Sequence, residues 1–262
     1  MPEAVFVAND RKNSMKYFIH IPKTGGTSLR AIAFGQDRPG GRTLPIYSAT
    51  DQEMALSMKA QLGQETLLFG HFSFGFHALF KDARPEYATV LRDPVARVVS
   101  LYHHHRRFDT SSYHHLINRE GLSLLDFVES CISPETNNEV VRNLTASYGK
   151  LPLWEDRIAN RWWKITRGVP TRQISDKARL NRALDNVRKN FRHVGLMDDL
   201  APSADFLGRW LHSIPQDQAL AKENAFDGVR IEPTAAERRA IENANGLDLE
   251  FYRMARGNLL GL

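Results

Sequence analysis

The sequence predicts an α/β fold with a mostly parallel central sheet flanked by helices. Three observations carry this. Apolar runs too short for helices recur at residues 17–21, 66–69, 87–91 and 193–196. The segments between them place apolar residues at helical spacing. The first run passes through a glycine loop straight into a helical pattern, and the other early runs end in Gly-His and Arg-Asp-Pro.

In the first run, Tyr17, Phe18, Ile19 and Ile21 read as a buried strand that stops at Pro22. Lys23, Thr24, Gly25, Gly26, Thr27 and Ser28 follow. Leu29, Ile32 and Ala33 then fall at helical spacing, with Gly35 as the C-terminal stop. Adjacent glycines let backbone N–H groups approach an anion, and the helix start adds unpaired N–H groups and the positive end of its dipole. Thr24, Thr27 and Ser28 add hydroxyls and Lys23 a full charge. A bare Gly-Gly turn is only a tight turn, but these neighbours make it a phosphate cradle. It is not a Walker A loop, where the lysine follows the second glycine.

Residues 36–47, rich in Gly, Pro and Arg, read as a loop. Residues 51–62 read as a helix with Asp51 as N-cap and Met54, Met58 and Leu62 on its apolar face. Strand 66–69 runs into Gly70 and His71, where open α/β sheets place ligands; a packed structural histidine is the alternative. Strand 87–91 ends at Arg92 and Asp93, and Pro94 opens a helix that carries Ser100 two turns in. Alone, Arg92 and Asp93 would read as a surface ion pair in a turn; beside the first loop they read as a second phosphate site.

Half of the 10 histidines lie between His103 and His115. Successive residues on a helix point about 100° apart and cannot converge on one ion, so no metal site is expected there. Ser123 and Asp126 open a core helix running to Cys131. Residues 137–144 suggest a helix near the site. Trp154, Trp162 and Trp163 alternate with Arg157, Arg161, Lys164, Arg167 and Arg172. They form either a core-facing helix or a grip on an acidic sugar or a base. Ser175 or Asp176 caps a helix through Val187, residues 200–211 and 234–245 are helices, the latter opened by Thr234 and Glu237, and 222–228 is a polar loop and candidate lid.

No linker, repeat or low-complexity segment divides the 262 residues, so a single domain over 1–262 is expected. The formal net charge of +5 suits a polyanionic ligand, nucleic acid, a membrane surface or none of these. Cys131 is the only cysteine, which excludes an intrachain disulfide and a multi-cysteine zinc site. The N-terminal residues do not read as a signal peptide and no run reaches membrane-spanning length, so a cytoplasmic protein is expected.

Residues 19–29 (IHIPKTGGTSL), 70–75 (GHFSFG) and 89–102 (TVLRDPVARVVSLY) resemble the carbohydrate branch of the sulfotransferases that use 3′-phosphoadenosine 5′-phosphosulfate (PAPS). Residues 137–144 (NNEVVRNL), 193–200 (HVGLMDDL) and 245–255 (NGLDLEFYRMA) are similar to later segments of that family, in the same order. The resemblance implies that residues 23–28 hold the 5′-phosphosulfate, with Lys23 near the bridging oxygen, and that Arg92 and Ser100 bind the 3′-phosphate. It implies His71 as general base, as in relatives such as the heparan sulfate 2-O-sulfotransferases. Those carry a second histidine before the glycine, where this chain has Phe69. Lys222 and Asn224 align with a cofactor-closing loop. The eukaryotic members are Golgi-anchored, and this chain resembles a bacterial relative.

Sulfuryl transfer needs an in-line hydroxyl, a base for its proton and positive charge for the departing phosphate, and by analogy with phosphoryl transfer positioning and electrostatics do most of the work. The expected cosubstrate is PAPS, with no metal, and the expected acceptor a hydroxyl of a carbohydrate or glycoconjugate. A peptide or small alcohol presents the same group. Two alternatives are a nucleotide-triphosphate kinase, against which the misplaced lysine counts, and a non-catalytic binder of acidic glycans, against which the retention of Lys23, His71 and Arg92 counts.

Overall fold

The computed structural model describes residues 15–34, 41–63, 65–145, 175–211 and 232–261. Five strands, β1 (Lys16–Ile19), β2 (Arg42–Ile46), β3 (Thr66–Gly70), β4 (Glu86–Leu91) and β5 (Phe191–Leu196), form one sheet in the order β2-β3-β1-β4-β5. Every neighbouring pair is parallel. All strands therefore end on one edge, with the loop after β1 between those after β3 and β4.

Helix α1 (Gly26–Phe34) follows β1, α2 (Ala49–Ser57) follows β2, and α3 (Pro94–Arg107) follows β4. Then come α4 (His114–Arg119), α5 (Leu124–Glu129), α6 (Glu139–Thr145), α7 (Asp176–Asn190), α8 (Ala201–Trp210), α9 (Ala235–Ala244) and α10 (Gly246–Arg256). Side-chain alternation sorts β1 between two cores. Tyr17 and Ile19 pack with Val141, Leu144, Ala183, Val187 and Phe251 from α6, α7 and α10. Phe18 packs on the other face with Leu29 and Ala33 of α1 and Leu207 of α8. Complete burial of one such aromatic side chain contributes roughly 1.5–3 kcal/mol. A third cluster of Val98, Leu101, Phe127 and Ile241 braces α3 against α5 and α9.

The structure revises four local readings and decides between two alternatives in a fifth. Part of the expected loop 36–47 is strand β2; Pro45 obscured it, yet proline is tolerated because β2 pairs with β3 alone and lies at the sheet edge. Asp51 is not the N-cap of α2: Ser48 is, and Asp51 closes the capping box from inside the helix. Ala55, rather than Met54, is that helix's buried residue, and Met54 is exposed. Helix α5 ends at Glu129, leaving Cys131 exposed with a positive φ of 52°. Ser175, not Asp176, caps α7. Gly35, the Trp154–Arg172 segment, the 222–228 loop and Lys222 and Asn224 lie outside the described residues.

Candidate active site

The site is built where β3, β1 and β4 end side by side. After β1, the His20 N–H donates to the Gly70 carbonyl at 2.8 Å, and the chain then turns through Lys23 and Gly25 at φ 70° and 81°. Glycine adopts that conformation freely, but in a lysine it costs about 1–2 kcal/mol. Side-chain bonds brace the turn, and the Ser28 N–H donates to the Gly25 carbonyl at 3.2 Å. Thr24 Oγ1 donates to the Ile21 carbonyl at 2.8 Å, and Arg92 Nη1 donates to the Lys23 carbonyl at 3.2 Å. Thr24 thus commits its hydroxyl proton to the loop, so its backbone N–H is what it can offer an anion. Gly26 opens α1, and Thr27 and Ser28 sit in its first turn.

Gly26 is required by its neighbour. A Cβ there would fall within 3.0 Å of three atoms of the His20 ring. His20 cannot yield easily, because its Nδ1 lies 3.2 Å from the Tyr47 hydroxyl and its ring stands 4.8 Å from that of His71. Burial, then the charges of His71, Lys23 and Arg30, push the His20 pKa down to about 3, so the ring is neutral near pH 7. Gly70 is required too: a Cβ there would overlap the Ile46 backbone of β2.

His71 follows directly. Its N–H donates to the Ile46 carbonyl at 2.7 Å, and its Nδ1 lies 2.6 Å from the His20 carbonyl oxygen. A carbonyl only accepts, so Nδ1 carries the proton and the neutral ring keeps its lone pair on Nε2. Tyr47 stands edge-on to the ring, with centroids 4.8 Å apart. Arg30 lies over the Tyr47 ring, and burial pushes the Tyr47 hydroxyl up to about 12 against the pull of that charge. His71 is exposed at the surface, but the protein around it lowers its pKa; the His20 carbonyl and the charges of Glu135 and Glu139 oppose that shift.

On the other side of the loop, Asp93 caps α3 by accepting the Ala96 N–H at 2.9 Å. Arg92, just before it, reaches the Lys23 carbonyl. Ser100 and His104 are one helical turn apart on the same face of α3. Burial, then the charges of Lys23 and His105, bring His104 down to about 4. Arg97, Leu101 and His105 form the buried stripe of the same helix.

Glu135 escaped sequence reasoning. It sits in a short turn (Pro134–Thr136) whose backbone is tied down by Arg97 Nη2, 2.6 Å from the Glu135 carbonyl oxygen. Its carboxylate lies 3.4 Å from His105 Nε2 and opposes the lowering of the Lys23, His71 and His104 pKa values. Burial would raise Glu135, but the His105 contact and the charges of Arg97 and His71 hold it below the usual carboxylate range. Lys23 itself is lowered by burial and then by Arg92. No local pattern announces Glu135; only the fold brings residue 135 to residue 23.

His77, six residues after His71, faces the core. Its Nδ1 lies 2.9 Å from the Tyr87 hydroxyl and its ring packs against Tyr17 and Phe74 inside the core. Among the described residues no group of three or more His, Cys, Asp or Glu side chains could hold a metal ion, and no helix is long and apolar enough to cross a membrane.

The chain is similar in structure to a mouse sulfotransferase, SULT7A1 complexed with PAP. The identity is 13% and the TM-score 0.38, over 81% of this chain and 62% of that one, so the chain spans less than two thirds of that protein's length. At that score the likeness assigns no residue. No protein-family model matches the sequence, and no curated protein matches it.

Proposed function

We propose that this protein is a sulfotransferase that moves the sulfuryl group of PAPS to a hydroxyl of a carbohydrate or glycoconjugate. The observation that carries the reading is the sharing of one sheet edge by the Lys23 loop, Arg92 and His71, with Nε2 of His71 left as the proton acceptor. The loop fits a phosphate: it brings backbone N–H groups to the start of α1, whose dipole adds to them.

In this reading the N–H groups of residues 24–27 and the Lys23 ammonium grip the 5′-phosphosulfate, and Arg92 with Ser100 holds the 3′-phosphate. His71 Nε2 takes the proton of the acceptor hydroxyl as its oxygen bonds to sulfur. Lys23 balances the negative charge that grows on the bridging oxygen as the sulfur–oxygen bond to the phosphate breaks. His20 is neutral, and its carbonyl holds the His71 tautomer. Glu135 keeps Lys23 and His71 from losing too much basicity.

The test is incubation with radiolabelled PAPS and a panel of glycans, glycolipids, peptides and small alcohols, with and without EDTA. Label transfer that survives EDTA is expected, whereas phosphoryl transfer from ATP would need Mg²⁺. Calorimetry should find adenosine 3′,5′-bisphosphate bound roughly tenfold or more tightly than AMP, because a charged hydrogen bond contributes about 1.5–3 kcal/mol. Equal affinities would remove Arg92 and Ser100 from the site, and binding without transfer to any acceptor would favour a non-catalytic role.

A further inference from the structure

The segment that carries His71 is pinned at both ends. Ahead of it, Gly70 lies in the sheet and the His71 N–H is held by Ile46. Behind it, the contacts converge on one buried residue of α6. The Asn143 carbonyl accepts the Phe74 N–H at 2.8 Å, and its side-chain Oδ1 accepts the Ser73 hydroxyl at 2.7 Å. Asn143 Nδ2 donates to the Glu139 carbonyl at 3.0 Å and to Glu139 Oε1 at 2.9 Å.

These contacts use both ends of the amide, so its orientation is determined: the nitrogen must face Glu139 and the oxygen Ser73. Neither aspartate nor leucine could replace it, since aspartate has no donor for Glu139 and leucine no acceptor for Ser73. Helix α6 is in turn held by the late chain. Asp248 accepts the N–H groups of Val140 and Val141 at 2.9 and 2.8 Å, while Asn138 Oδ1 accepts those of Leu247 and Asp248 at 2.9 and 3.2 Å. Each helix start is capped by a residue of the other.

We propose that Asn143 is a positioning residue for the catalytic histidine: by clamping Ser73 and Phe74 it sets the direction in which His71 presents Nε2. The proposal rests on the reading of His71 as base. Its energetic logic is the cost of misplacement, since a shift of about 1 Å at a reacting group can cost on the order of 10²-fold in rate. The hydrogen bonds of Asn143 run to Ser73, Phe74 and Glu139, so nucleotide binding is expected not to depend on it.

The test compares Asn143→Ala and Ser73→Ala with a control, Asn186→Ala. Asn186 Nδ2 donates to the Leu144 carbonyl at 2.8 Å, so the control loosens the same helix from α7 without touching the His71 segment. Three quantities are read: label transfer from PAPS to the glycan panel, affinity for adenosine 3′,5′-bisphosphate, and the tautomer of His71 by imidazole nitrogen NMR. The expected result for Asn143→Ala and Ser73→Ala is a loss of turnover of about tenfold or more. Nucleotide affinity should stay within about twofold, and the His71 signals should shift from the single Nδ1–H form toward a mixture of tautomers. Asn186→Ala should lower the melting temperature while leaving the His71 signals unchanged. An Asn143 variant that melts earlier but keeps wild-type turnover and a single tautomer would overturn the proposal. Were Asn143→Ala not to fold, Ser73→Ala at wild-type rate and tautomer would do the same. If His71→Ala itself kept activity, the base assignment would fall, while the NMR signals would still decide whether Asn143 positions the ring.

Discussion

Replacing Gly26 by alanine sets two effects of opposite sign against each other. In an ordinary helix the change would gain up to about 1 kcal/mol from reduced backbone entropy. Here the new methyl would fall within 3.0 Å of three atoms of the His20 ring, which is wedged between Tyr47, Phe69 and His71. Overpacking of that kind costs roughly 1–3 kcal/mol, and because His20 is held on three sides we take the upper part of the range. The net loss is about 1–2 kcal/mol, which for a chain of this size lowers the melting temperature by roughly 2–8 °C. Relief by displacing the start of α1 would also misalign N–H groups of the cradle and weaken adenosine 3′,5′-bisphosphate binding by about tenfold or more. Calorimetry and thermal melts of Gly26→Ala measure both. The double variant with His20→Ala should recover much of each loss, since the His71 tautomer depends on the His20 backbone carbonyl and not on its ring. A Gly26→Ala protein with unchanged melting temperature and nucleotide affinity would refute this account of the loop.

His71→Ala should lose about 10² to 10⁴ in rate with nucleotide binding intact. The neutral ring is the active form and its pKa is lowered, so wild-type activity should fall toward acid on a midpoint below 6.5; a midpoint above 6.5 would count against the environment described. Glu135→Gln removes a negative charge that favours the protonated ring, so the midpoint should move further down, and an upward or absent shift in the pH profile would separate Glu135 from His71. Lys23→Ala should lower turnover more than nucleotide affinity, because charge on the bridging oxygen grows in the transition state; unchanged turnover at saturating PAPS would make Lys23 a ground-state anchor. Burial raises the Asp248 carboxyl from 3.8 to about 6 against Arg97 and two backbone N–H bonds. Its contribution is full below pH 3.8 and lost as pH rises through 6, so wild-type stability relative to Asp248→Asn should fall by roughly 2–3 kcal/mol from pH 4 to 7 in denaturant titrations, and a constant or growing difference would contradict the shift.

Features that neighbours along the chain decide were legible in the order of residues. Short apolar runs ending at proline, glycine or Arg-Asp-Pro marked β1, β3, β4 and β5, and the cap residues Ser123 and Thr234 marked helix starts, because burial patterns and capping bonds act over a few residues. The phosphate loop was legible for the same reason, since its glycines, lysine and helix start are consecutive. Strand β2 was not, because its pairing comes from β3 and its proline mimics a loop. Only the tertiary structure turned His77 into the core and His71 outward, set the His20 ring beneath Gly26, brought Glu135 to Lys23, and let Asp248 cap a helix whose first bonded N–H is 108 positions away. Such contacts leave no periodicity in the chain: each is decided by which strand ends adjoin and which buried polar groups must find partners there.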